Sequence, residues 1–121
     1  MTKQQKQQVL ELIAKDCETR CVYINTQGKT CAIGHLARAA GCPDDDLIVA
    51  RAYDVSSFGP NAMDDTEPRK AVGRMQVAIL NKFGLKYIDQ REIQTLNDGG
   101  KTREQRIELI TGYVNGLTTE D

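Results

Sequence analysis

The stretch Val72-Gly-Arg-Met-Gln-Val-Ala-Ile-Leu-Asn-Lys-Phe-Gly84 places Val72, Met75, Gln76, Ile79, Leu80 and Phe83 at three- and four-residue intervals. That spacing is the period of an α-helix with one buried face, and Gly84 supplies its stop. The same period recurs on both sides. A first helix is expected from Lys3 to Lys15, with Leu10 and Ile13 on one face, widened by Val9 and Leu12. After Gly84, Asp89 with Glu92 reads as a capping box for a short helix containing Ile93 and Leu96. Asn97-Asp-Gly-Gly100 should break the chain. Thr102 with Gln105 is a second box, opening a last helix striped by Ile107, Ile110, Val114 and Leu117.

The remaining segment is less regular. Arg20-Cys-Val-Tyr-Ile24 is rich in β-branched and aromatic residues, and Asn25-Thr-Gln-Gly28 is a turn, so a small hairpin is expected. Thr30 is placed to cap a second helix running through Ala40, and Gly41 with Pro43 ends it. Pro43 and Asp44-Asp-Asp46 suit the first turn of a third helix carrying Leu47, Ile48 and Tyr53. From Asp54 to Glu67 the chain reads as a long loop, a length often tied to function. The reading is α+β and predominantly α, a single domain over residues 1–121. It has five or six helices and one short β-hairpin near residues 20–31.

Composition bounds the function. With 121 residues and 40% apolar side chains, one core can form without a metal or disulfide staple. A formal charge of −1 argues against nucleic acid as the partner. The charge is uneven: residues 42–67 hold seven acids against Arg51 alone, whereas 68–86 hold five bases and no acid. Such stretches either face each other, lie solvated, or recognise an opposite charge. No apolar run approaches membrane-spanning length and no signal region opens the chain. The expectation is a soluble, cytoplasmic protein that uses no membrane, with its four cysteines reduced.

Reactive groups gather at one place, Gly28-Lys-Thr-Cys-Ala-Ile-Gly-His-Leu-Ala-Arg-Ala-Ala-Gly41. On a helical wheel Ile33, Leu36, Ala37 and Ala40 share one side, while Cys31, His35 and Arg38 share the other. Gly34 beside them leaves room for an approaching group. A thiol in the first turn of a helix has its thiolate favoured, and the same positive features suit an anion. Three chemistries follow. Cys31, Gly34, His35 and Arg38 could bind a ligand or partner. Cys31 with His35 could act as a thiol dyad, although both sit on one turn with no fixed carboxylate. Cys17, Cys21, Cys31 and His35 could form a Cys3His zinc site, with looser spacing than the common knuckle. A structural role for the whole turn competes with all three. Cys42, next to Pro43, reads as packing at a helix junction.

Cys31-Ala-Ile-Gly-His-Leu36 and Leu96-Asn-Asp98, followed by Thr102-Arg-Glu-Gln-Arg-Ile107, resemble a set of small, uncharacterised bacterial and bacteriophage proteins. In those an early helix is followed by a Cys-x-Leu/Ile-Gly-Ala/His-Leu segment, and a Leu/Trp-Asn-Asp turn precedes the last helix. The resemblance implies no known activity. It marks Cys31, Gly34, Asn97 and Asp98 as features of the set. The lack of a complete catalytic set, the charge asymmetry and the anion-friendly 31–38 face point to a non-enzymatic protein without a cofactor that binds a host protein or sequesters a small anionic ligand. By analogy with the set it would be a phage accessory or anti-defence factor.

Overall fold

The computed structural model of the chain describes residues 1–50 and 67–120, and within them the fold is six helices. These are α1 (Lys3–Lys15), α2 (Ala32–Ala39), α3 (Asp44–Ala50), α4 (Glu67–Phe83), α5 (Tyr87–Gly99) and α6 (Arg103–Asn115). The expected Tyr53 and the 54–66 part of the loop lie outside the described residues. None of the six helices is long and apolar enough to cross a membrane.

Short-range chemistry sets most helix ends. At α1, Thr2 Oγ1 accepts from the Gln5 amide at 3.1 Å while the Thr2 amide donates to Gln5 Oε1 at 2.8 Å. That reciprocal pair is a full capping box. Gly41 and Gly84 take φ of +102° and +69°, the left-handed stops expected after α2 and α4. Pro43 precedes α3 rather than entering it, and its carbonyl accepts from the Asp46 amide at 3.0 Å. Thr102 caps α6, but Gln105 reaches back to the Lys101 amide instead of the cap's own.

The short α2 lies at the centre, packed against α1, α4 and α5. Ala32, Ile33, Gly34, Leu36 and Ala37 are buried on it. Ile33 and Leu36 each contribute roughly 1.5–3 kcal/mol of burial. Around them close Val9 and Ile13 of α1, Val72, Met75, Ile79 and Phe83 of α4, Ile93 of α5, and Ile110 with Val114 of α6. The α4 face is therefore the one read from its spacing. α3 packs on α4 and α6 on α5, completing the shell.

Two expectations require correction. The hairpin near residues 20–31 is absent: a single antiparallel bridge joins Ile24 to Thr30, and the described residues contain no strand. Pairing does not extend outward from the bridge. Beyond Thr30 the chain becomes the cap of α2, and before Ile24 the backbone turns at Cys21, whose φ is +63°. Second, α5 starts at Tyr87, so Asp89 sits inside its first turn and no capping box forms. Asp89 instead accepts from the Tyr113 hydroxyl at 2.7 Å, tying α5 to α6.

Candidate functional site

Cys31 is the N-cap of α2, in an extended conformation (φ −81°, ψ 178°). This corrects two expectations, that Thr30 caps the helix and that Cys31 faces outward with His35 and Arg38. A cap residue stands outside the helical register, so the wheel does not describe its direction. The Cys31 side chain turns inward and is fully buried. Its Sγ accepts from the Gly34 amide at 3.3 Å and donates to Gln94 Oε1 at 3.8 Å. Burial, reinforced by the Asp98 charge, outweighs the Gly34 amide and pushes the thiol up to about 12. A thiol so placed stays protonated and is no nucleophile near neutrality.

Thr30 is buried and gives its hydroxyl to Asp16 Oδ2. His35 Nδ1 lies 2.9 Å from the same carboxylate oxygen. Both ring nitrogens are sealed from solvent, and among the described residues no partner other than Asp16 stands beside them. Burial works to raise the Asp16 carboxyl. His35, Thr30 and the Glu18 amide together outweigh it and hold the carboxyl below its ordinary 3.8. A depressed carboxyl contributes stability above its unfolded value and loses it as pH falls through the folded one. The stability gap between the native chain and Asp16→Asn is therefore expected to be constant near neutrality and to close as pH drops below 3.8. Urea unfolding of both chains across that range measures it.

Arg38 is also committed. Its Nε and Nη2 hold Asp44 at 2.9 and 3.2 Å, and Nη2 reaches the Gly28 carbonyl at 3.1 Å. Gly34 has no free space beside it: a Cβ there would stand 2.2 Å from the Tyr23 carbonyl oxygen. Each of the four residues expected to present one open binding face is thus engaged in internal contacts.

The zinc set is not assembled either. Cys17 is buried with its thiol on the Ile13 carbonyl at 3.7 Å, Cys21 is exposed, and Cys31 and His35 have the partners above. Among the described residues no group of three or more His, Cys, Asp or Glu side chains is placed to hold a metal. Cys42 packs beside α4, with its thiol toward the Arg74 carbonyl at 3.9 Å.

Sequence reasoning singled out Asn97 and Asp98 but gave them a local turn. Both act at long range. Asn97 is fully buried in the last turn of α5, where Oδ1 accepts from the Ala32 amide and Nδ2 donates to the Thr19 carbonyl, each at 3.0 Å. Asp98 accepts from the Cys21 amide at 2.9 Å and from Gln94 Nε2 at 2.9 Å. Arg106, whose burial no polarity pattern foretells, donates to the carbonyls of Cys17, Gly100 and Glu18 at 2.9, 3.2 and 3.3 Å. Together these groups bolt the 16–31 segment onto α5 and α6.

The acidic and basic stretches face each other at least once, since Arg74 holds Asp46 Oδ1 at 2.9 and 3.1 Å. Beside them two shallow grooves open. One, of about 530 Å³, lies between the 22–28 turn and α3, with Val22, Ile24 and Thr26 on one wall and Asp44 and Ile48 on the other. Ile48 is 46% exposed. The second, of about 600 Å³, runs along α4 past Lys70, Gly73, Val77 and Ala78. Comparison of the chain with family models, curated proteins and solved structures finds no match.

Proposed function

We propose that the chain is a non-enzymatic binding protein that engages another protein, with the groove between the 22–28 turn and α3 as its contact surface. One observation carries the reading: the cluster of reactive side chains around Cys31 is consumed by internal contacts, with Cys31 sealed and protonated. Of the two grooves that stay open, the one between the 22–28 turn and α3 combines the apolar Val22 and Ile24 with an exposed Ile48 at its edge. Sequestration of a small anion is less well supported, because Arg38 already grips Asp44 with two N–H groups. An incoming anion would have to displace that carboxylate. In the phage setting implied by the resemblance, the partner is a host protein and the role that of an accessory or anti-defence factor.

A photo-crosslinking residue placed at Thr26, in cells that natively express the chain, tests the proposal. A discrete protein adduct is expected from Thr26, lost on Ile48→Asp and absent when the crosslinker sits at Ile88 of α5. No adduct, or the same adducts from both positions, would refute it.

A further inference from the structure

We infer that the groove receives an extended peptide segment of the partner, added as a strand to the open backbone edge at Ile24. The inference rests on the binding reading and names the chemistry of its partner.

The bridge between Ile24 and Thr30 is flanked by two hydrogen bonds, Asn25 amide to Lys29 carbonyl at 2.9 Å and Cys31 amide to Tyr23 carbonyl at 3.3 Å. In an antiparallel pair of that kind the two bridged residues turn their own N–H and C=O groups away from each other. On the Thr30 side the outward carbonyl is used, accepting from the amides of Glu18 at 2.9 Å and Thr19 at 3.2 Å. On the Ile24 side neither the N–H nor the C=O has a hydrogen-bond partner in the described residues. Yet Ile24 is only 8% exposed.

Backbone groups left unpaired in a largely buried residue cost on the order of 1–3 kcal/mol each. A ligand that relieves both must offer an acceptor and a donor at strand spacing, which is what a peptide backbone offers. The neighbours set the register. The Val22 carbonyl already accepts from Thr19 Oγ1 at 2.7 Å, so pairing centres on Ile24. Across the groove, Ile48 asks for an apolar side chain on the incoming segment, while Asp44 is neutralised by Arg38 and selects no charge. The strand is held in place by the same bonds that bury Cys31: the Asn97 and Asp98 ties and the Gly34 contact under Tyr23. The Cys-Gly turn acts here as the support of a binding edge.

The test uses the full chain and a displayed library of unstructured linear peptides. An enriched peptide is synthesised and titrated while amide exchange is followed by NMR. In the free protein the Ile24 amide is expected to exchange quickly, while those of Asn25 and Cys31 are protected. Bound peptide should slow Ile24 exchange at least about tenfold, and N-methylating the paired peptide residue should weaken binding by a similar factor, about 1.4 kcal/mol. Ile48→Asp should abolish it without unfolding the chain. Peptides that bind with Ile24 exchange unchanged, that seat as helices, or that tolerate N-methylation at every position would overturn strand addition, as would a library that yields no binder. A partner crosslinked at Thr26 that leaves Ile24 unprotected would overturn this inference alone. Failure of both experiments would overturn the binding reading as well.

Discussion

Replacing Asn97 with alanine is expected to destabilise the chain by about 3 kcal/mol or more, since two buried backbone groups each lose their partner at about 1–3 kcal/mol. The carboxamide oxygen serves the Ala32 amide, one of the open donors at the start of α2, and its nitrogen serves the Thr19 carbonyl. Asn97 has no exposed surface, so neither bond is replaced cheaply by solvent. Asn97→Asp is the sharper control. It keeps the acceptor for Ala32, loses the donor to Thr19, and sets a second carboxylate beside Asp98. It should therefore also destabilise, despite being nearly isosteric. Urea midpoints for the two variants check this, and a loss under about 1 kcal/mol in both would mean that Asn97 is not the tie described here.

The Gly34→Ala variant should lose about 3 kcal/mol, at the upper end of what overpacking a core usually costs. Alanine is the better helix former by about 1 kcal/mol, so a position without steric conflict would be stabilised. The sign of the change is thus decisive. The added Cβ would lie 2.2 Å from the Tyr23 carbonyl oxygen and 3.0 Å from its carbon. That carbonyl cannot retreat freely, because it accepts from the Cys31 amide and its segment is anchored by Asp98 at Cys21. Any relief pushes Tyr23 and Ile24 toward the groove. In the fraction that still folds, crosslinking from Thr26 should fall along with stability. Thermal unfolding of the variant measures the first effect, and crosslinking yield the second.

Much of the helical frame was legible because it rests on local rules. The limits of α1, the buried face of α4, the left-handed stops at Gly41 and Gly84, and the Ile110–Val114 stripe all follow from spacing and terminal residues. The site was misread for a geometric reason. A wheel assigns directions only to residues inside the helix, and Cys31 is one residue outside it. Removing that one residue dissolves the apparent Cys–His–Arg face. The partner of Cys31, Gln94, lies 63 positions away, and the Asn97 that holds Thr19 lies 78 away, beyond any local pattern. Polarity gives no warning either: Gln90, Gln94, Asn97 and Arg106 are buried although their side chains are polar, whereas the buried Gln76 lies on the α4 face that its spacing marks. The apparent hairpin failed because its first half turns left-handed at Cys21 and its second becomes a helix cap. Of the acidic and basic stretches, Asp46 and Arg74 meet in an ion pair, one of the alternatives that the charge pattern leaves open.

Under the proposed function the Cys31 turn is a sealed joint that supports a binding edge rather than a reactive centre. Site-resolved alkylation, followed by mass spectrometry on the native protein over a rising pH series, tests it most directly. Exposed Cys21 should be modified first, while Cys31 and Cys17, both pushed up to about 12 by burial, should react only once the chain is unfolded. Selective modification of Cys31 in the folded protein near neutral pH would contradict the account and return the thiol to the centre of the function.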